Sequence, residues 1–198
     1  MLKWLSLLVT LALVALAPQT AQASHRNCTA AEKKSADRQL WLKQQDKQLS
    51  IAKHLPWGAP VADPSAGNEW LLVQRDYVIH YDGDLRIPLL TAERVDEDRL
   101  QQLHRTDCFR RDVRIDAPMD SKPSDYKEPI FDQGHLAAFA NQTSSKIAGN
   151  KSFMMSNMVP QTCQFNRGIW QILEGVTRGW AKDKGTVYVI SGSNVLKE

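Results

Sequence analysis

Charge of one sign is scarce in this sequence: its 198 residues carry 25 Lys and Arg against 22 Asp and Glu, a formal net charge of +3. So small an excess cannot generate the long-range field of a broadly cationic binder, and attraction for a polyanion would need a local patch or a bound cation. Cysteine is scarce too, with only Cys28, Cys108 and Cys163. Three cysteines exclude a disulfide-dense miniature scaffold, and none stands in the paired spacing of structural zinc sites. Long apolar runs are confined to residues 4–17, too short to span a bilayer comfortably. Internal repeats and low-complexity tracts are absent.

What stands at the N-terminus is Met1-Leu2-Lys3, the apolar run, Pro18 and the triplet Ala21-Gln22-Ala23. This is the pattern of a secretory signal peptide over residues 1–23, with cleavage expected before Ser24. The mature protein is then expected to be secreted or periplasmic, free of the membrane, and large enough for one domain of ordinary size. In an oxidising compartment the cysteines predict one disulfide with one thiol left over, the pairing being open.

Residues 29–54 are rich in Ala, Lys, Gln and Leu without Gly or Pro, which predicts a helix. Pro56, Gly58, Pro60, Pro64 and Gly67 then mark a linker. Residues 24–67 therefore form a helical extension and linker ahead of a domain over 68–198. Within it, 70–73, 76–81 and 85–90 read as three antiparallel strands, 91–105 as a short helix or loop, 116–129 as an irregular surface loop, and 187–191 as a buried closing strand.

Between residues 164 and 180, Phe165, Ile169, Ile172, Leu173, Val176 and Trp180 fall on one side of a helix. Asn166, Trp170, Glu174 and Arg178 follow one another at intervals of four, a slightly spiralling stripe beside that face. Thr162 is the expected N-cap, placing Asn166 near the positive end of the helix dipole. Trp170 and Trp180 are read as core residues more readily than as base-stacking platforms. Upstream lie Asp132-Gln133-Gly134-His135 and Ser156-Asn157-Met158-Val159-Pro160-Gln161. Arg105, Arg110, Arg111 and Arg114, joined by Arg167 and Arg178, form the candidate basic patch. His104, Cys108 and Cys163 could begin a zinc site, a reading that the spacing disfavours.

Taken together, Arg105 with Phe109 and Asp112, Ser124-Asp125-Tyr126, Asp132-Gln133-Gly134-His135-Leu136, Asn157 with Val159-Pro160-Gln161, and Asn166, Trp170, Glu174 and Arg178 resemble the DNA/RNA non-specific endonuclease family. The resemblance implies an α+β fold, an antiparallel sheet with packed helices and a ββα-metal site. It further implies that His135 is the general base, that Asn166 is the direct ligand of Mg²⁺ (or Mn²⁺), and that Glu174 holds waters around the metal. Arg105 would contact the phosphate, Asn157 would support the site, and Arg178 would stabilise charge near the leaving group. A neutral imidazole titrating near pH 6.5 suits the first role without a large shift.

The implied activity is Mg²⁺-dependent hydrolysis of DNA and RNA through the phosphate backbone, leaving 5′-phosphates. The alternative is a catalytically impaired nucleic-acid-binding protein on the same scaffold. Two departures carry that alternative: the family usually has Arg where this chain has Gln133, and its members generally continue past the strand expected at 187–191, so that the domain is expected to be C-terminally incomplete. A homodimer or an inhibitor protein is left open.

Overall fold

The computed structural model describes residues 26–60 and 68–194, so the expected signal peptide over 1–23 lies outside the described residues. Thr29 opens the first helix with a capping box. Its Oγ1 accepts from the Glu32 N–H while the Glu32 carboxylate accepts from the Thr29 N–H, satisfying donors that a helix start would leave free. Two helices follow instead of the single one expected, α1 (Ala30–Arg38) and α2 (Gln44–His54). The break falls where Leu40 turns inward and is fully buried, a tertiary demand that helix propensity does not register. Arg26–Asn27 (β1) precedes α1 and pairs in parallel with Thr106–Asp107 (β5).

The main sheet is antiparallel with order β2-β3-β4-β8: Glu69–Val73, Val78–Asp82, Ile87–Asp96 and Thr186–Gly192. The β4 strand runs on through residues expected to be helix or loop, because β8 pairs along its whole second half, from Leu90 with Gly192 to Asp96 with Thr186. Leu72, Tyr77, Ile79 and Tyr81 form the core on one side of the sheet with Ile115 and Ala137. Leu55, Val73, Val78 and Ala92 form it on the other. The 116–129 loop contains a single turn of 3-10 helix over Pro123–Asp125.

A second unit is the antiparallel pair β6 (Phe131–His135) and β7 (Met158–Thr162), linked through α3 (Lys146–Lys151). It runs into the short α4 (Cys163–Phe165), a wide π-type turn over Asn166–Trp170, and α5 (Gln171–Lys184). Gly168, inside that turn, leaves helical geometry at φ −109°, ψ −110°. This is the ββα arrangement, and it joins the sheet to an α+β whole.

Two expectations about burial are corrected here. The α5 helix buries Thr177 and Ala181 against the sheet, whereas Ile169, Ile172, Leu173, Val176 and Trp180 are exposed, Trp180 by 51%. Trp180 is therefore not a core residue. The β8 strand is an edge, and Tyr188 and Ile190 are exposed on it. Among the described strands β8 pairs only with β4, α5 packs chiefly on β8 and β4, and Trp57 meets Tyr188 edge-on at 5.0 Å. Among the described residues no helix is long and apolar enough to cross a membrane.

Candidate active site

The β6–β7 pair places His135 at the end of its strand, opposite Met158. Gly134 beside it leaves room for the Gln161 side chain, which a Cβ there would displace. Behind His135 the chain is pinned by Asn157, which is fully buried. Its Nδ2 donates to the carbonyls of Ala137 and Ser152, both at 2.9 Å, and its Oδ1 accepts from the Ala137 N–H at 2.9 Å. Asn157 thus touches the chain that carries His135, and does not line the cleft.

The imidazole is 8% exposed and sits edge-to-face on Phe153 at 4.9 Å, with Phe109 at 6.0 Å. Its Nε2 is buried with no hydrogen-bond partner in the structure. Burial, and secondly the charge of Arg105, hold its pKa down to about 3, so the ring is neutral throughout the physiological range. Arg105 lies over the Phe153 ring at 5.1 Å and pairs with Asp107 at 2.8 Å. The aromatic cluster is fastened by the Cys28–Cys108 disulfide, which resolves the open pairing and leaves Cys163 free. With Cys108 so engaged, a zinc site of His104, Cys108 and Cys163 is ruled out.

Thr162 caps the helical segment as expected, accepting from the Phe165 N–H. Asn166 follows within the first turn, and its Nδ2 donates to Asp132 Oδ2 at 2.9 Å. Arg167 grips the same carboxylate with Nε at 2.8 Å and Nη2 at 2.6 Å, and the Cys163 thiol lies 3.4 Å away. Arg167, foremost, and Asn166 lower the Asp132 pKa to about 2. Trp170 does not join the exposed stripe; its indole N–H donates to the His135 carbonyl at 3.0 Å, locking helix to strand.

Farther along, burial raises the Glu174 pKa to about 7 against the pull of Arg178 and Arg105. Arg178 donates from Nη1 to Asn141 Oδ1 at 3.2 Å. Asn141 in turn donates to the buried Glu93, which Gln142 also contacts. Burial pushes the Glu93 pKa up to about 8, while Asn141 pulls it down.

His135, Arg105, Asn166, Glu174 and Arg178 line one cleft of about 680 Å³, together with Gln133, Arg167 and Asp132. Three of the expected patch arginines are elsewhere. Arg110 is buried against Asp37, Arg114 is paired with Asp112 at 2.6 Å, and Arg111 is paired with Asp120. The cationic wall is therefore Arg105, Arg167 and Arg178. The role of Asp132 was not visible in the sequence, because its partners lie 34 and 35 positions away.

Could a cation be held here? The cleft offers hard oxygen donors, the Asn166 amide and the Glu174 carboxylate, which suit Mg²⁺ or Mn²⁺. With its Nδ2 committed to Asp132, the Asn166 amide keeps Oδ1 as its remaining donor. Among the described residues no three His, Cys, Asp or Glu side chains gather into a ligand set. The residues fit an ion that retains most of its water and is tethered through an amide.

The profile of the DNA/RNA non-specific endonuclease family matches residues 59–197. The chain is 35% identical over 121 residues to human mitochondrial endonuclease G, covering 60% of this chain and 41% of that protein. It is 30% identical over 149 residues to a nuclease of Nostoc sp., covering 73% and 54%. A crystal structure of an EndoG/EndoGI complex, described as showing the mechanism of EndoG inhibition, superimposes with a TM-score of 0.64 at 30% identity, covering 72% of this chain and 58% of that one. The chain spans about half the length of the curated relatives it matches, or less.

Proposed function

The chain belongs to the DNA/RNA non-specific endonuclease family, and from that premise we propose that it is a metal-dependent endonuclease hydrolysing phosphodiester bonds of DNA and RNA with little sequence specificity. The observation that carries this reading is convergence: a neutral imidazole, an amide tethered by Asp132, a half-buried carboxyl group and three arginines line a single cleft.

In this reading His135 accepts the proton of the attacking water. Burial and Arg105 make it a weak base in the free protein. A phosphodiester anion beside Arg105 would offset that guanidinium, the smaller of the two causes, and so raise the basicity of the imidazole while its burial remains. Arg105 binds the phosphate, and Arg178 faces the charge that develops on the leaving oxygen. Asn166 Oδ1 would hold Mg²⁺, with Glu174 accepting from its waters; the bound ion supplies positive charge to the phosphate in the transition state. Asn157 and Trp170 keep His135 and the helix in register. These contacts address the backbone of a nucleic acid, which carries charge but little base information.

Purified protein, incubated with plasmid DNA and with RNA in Mg²⁺ or EDTA beside His135→Ala, tests the proposal. Mg²⁺-dependent loss of both substrates, abolished by the substitution, is expected. DNA retained without cleavage would support a binding protein on the same scaffold instead. We propose export as well, on the N-terminal pattern alone; a mature protein beginning at Ser24 is the expected result of N-terminal sequencing.

A further inference from the structure

Arg178 ends its stripe against an amide, and a residue behind that amide decides which end it shows. Asn141 closes the 3-10 turn Phe139–Asn141 that follows β6. Its Oδ1 accepts from Arg178 at 3.2 Å and its Nδ2 donates to Glu93 Oε1 at 2.7 Å. Turned by half a rotation, the same amide would fit the same space but aim N–H donors at a guanidinium that has donors only. Glu93 opposes that rotation. Ionised, it accepts at both oxygens; neutral, it still accepts at its carbonyl, with Gln142 free to meet the hydroxyl.

Glu93 is an expensive residue for its place. It lies mid-strand on β4, opposite Val189, 1% exposed, between the equally buried inward positions Thr91 and Val95. A buried carboxyl group costs desolvation that an apolar side chain would avoid. Nothing in the sheet pairing asks for it, and its hydrogen bonds all run to Asn141 and Gln142.

We propose that Glu93 is a positioning residue of the nuclease site: its buried carboxyl group fixes the Asn141 amide so that an oxygen faces Arg178, and thereby holds that guanidinium at the cleft. The inference rests on the nuclease reading above, but half of its test does not.

Glu93→Met keeps the volume and removes both acceptors. The turnover number of plasmid cleavage should fall about tenfold or more, the size of one hydrogen bond to a charged group, with KM little changed because the contact serves the transition state. Asn141→Asp, added to Glu93→Met, puts an oxygen on both branches, so no orientation is needed; it should restore most of the lost rate. A Glu93 that merely fills the core predicts the reverse, since the second change then adds a buried charge to a damaged protein.

The independent arm is the ¹⁵N–¹H signal of the Arg178 Nε group, assigned by its loss in Arg178→Lys and recorded without metal or substrate. It should broaden or shift in Glu93→Met and return in the double variant. If Glu93→Met does not fold, Glu93→Leu removes the same two acceptors, and the same losses and the same rescue by Asn141→Asp are expected. A folded Glu93→Met with unchanged turnover and an unchanged Arg178 signal overturns the inference, as does a folded double variant that restores neither. Wild-type protein that cleaves nothing would defeat the nuclease reading, and the Arg178 signal would still judge Glu93.

Discussion

If the chain cleaves DNA with Mg²⁺ as proposed, replacing Asp132 by alanine should raise the Mg²⁺ concentration that cleavage needs without weakening the hold on DNA. Asp132 Oδ2 accepts from Asn166 Nδ2 at 2.9 Å, and both its oxygens are gripped by Arg167. The first contact decides which end of the Asn166 amide is left for a cation. A hydrogen bond to a charged partner is worth about 1.5 to 3 kcal/mol, and the lower end applies where the cleft is open to water. If all of it goes into orienting the amide, its loss weakens metal binding by about tenfold, and by no more than about a hundredfold, the usual range for partners that orient a metal ligand. The freed Arg167 acts in the opposite sense on DNA, adding an unneutralised cation to the cleft, so KM for DNA should stay level or fall. Initial rates of plasmid nicking, measured across Mg²⁺ and DNA concentrations, separate the two effects. Asp132→Asn, which still offers Asn166 an oxygen, should lose less. An unchanged half-saturating Mg²⁺ concentration in the folded alanine variant would refute the argument that Asp132 prepares Asn166.

Three further outcomes follow from the geometry. Asn157→Ala removes three buried hydrogen bonds around Ala137 and Ser152; it should cost about 3 kcal/mol or more by urea denaturation and lower turnover with it, and a stability within 1 kcal/mol of wild type would contradict its pinning role. Stability should be nearly level between about pH 6.5 and 4.5 and fall steeply below, as read by the urea midpoint. His54 and His135, held down to about 4 and about 3, bind protons only in the unfolded chain as pH falls below 6.5, which destabilises. Glu93 and Glu174, raised to about 8 and about 7, bind theirs only in the folded chain down to about 4.5, which compensates; below that the histidines act unopposed and the depressed Asp132 adds to the loss. A steady decline from pH 6.5 would mean that the two glutamates are not raised. Finally, the acid limb of cleavage should move to lower pH as Mg²⁺ is increased, because a cation competes with the proton for Glu174; a limb fixed at every Mg²⁺ concentration would separate Glu174 from the metal.

The ββα unit was legible because its signals are local. The blocks Asp132–Leu136 and Asn157–Gln161 implied its two strands through the family resemblance, Thr162 marks the helix start, and a four-residue interval places Asn166, Glu174 and Arg178 on one side. What escaped was set by distant partners. The stretch Glu93-Arg94-Val95-Asp96 reads as part of a charged short helix or loop, yet Glu93 points inward to amides 48 and 49 positions later and the strand continues because β8 pairs with it. Arg110, Arg111 and Arg114 look like a basic surface until Asp37, Asp120 and Asp112 are found opposite them. Residues 39–43 have no helix breaker, and only the burial of Leu40 explains the bend.

The helix that supplies Asn166's continuation, Glu174 and Arg178 is anchored along one flank, by Thr177 and Ala181, and its apolar residues from Ile169 to Trp180 meet water on the other. Half-supported elements open locally at a smaller free-energy cost than the domain as a whole. Backbone amides across residues 171–184 should therefore exchange with deuterium sooner than those of β3 and β4, and Glu174 and Arg178 would spend part of their time unlatched while the imidazole side of the cleft stays closed.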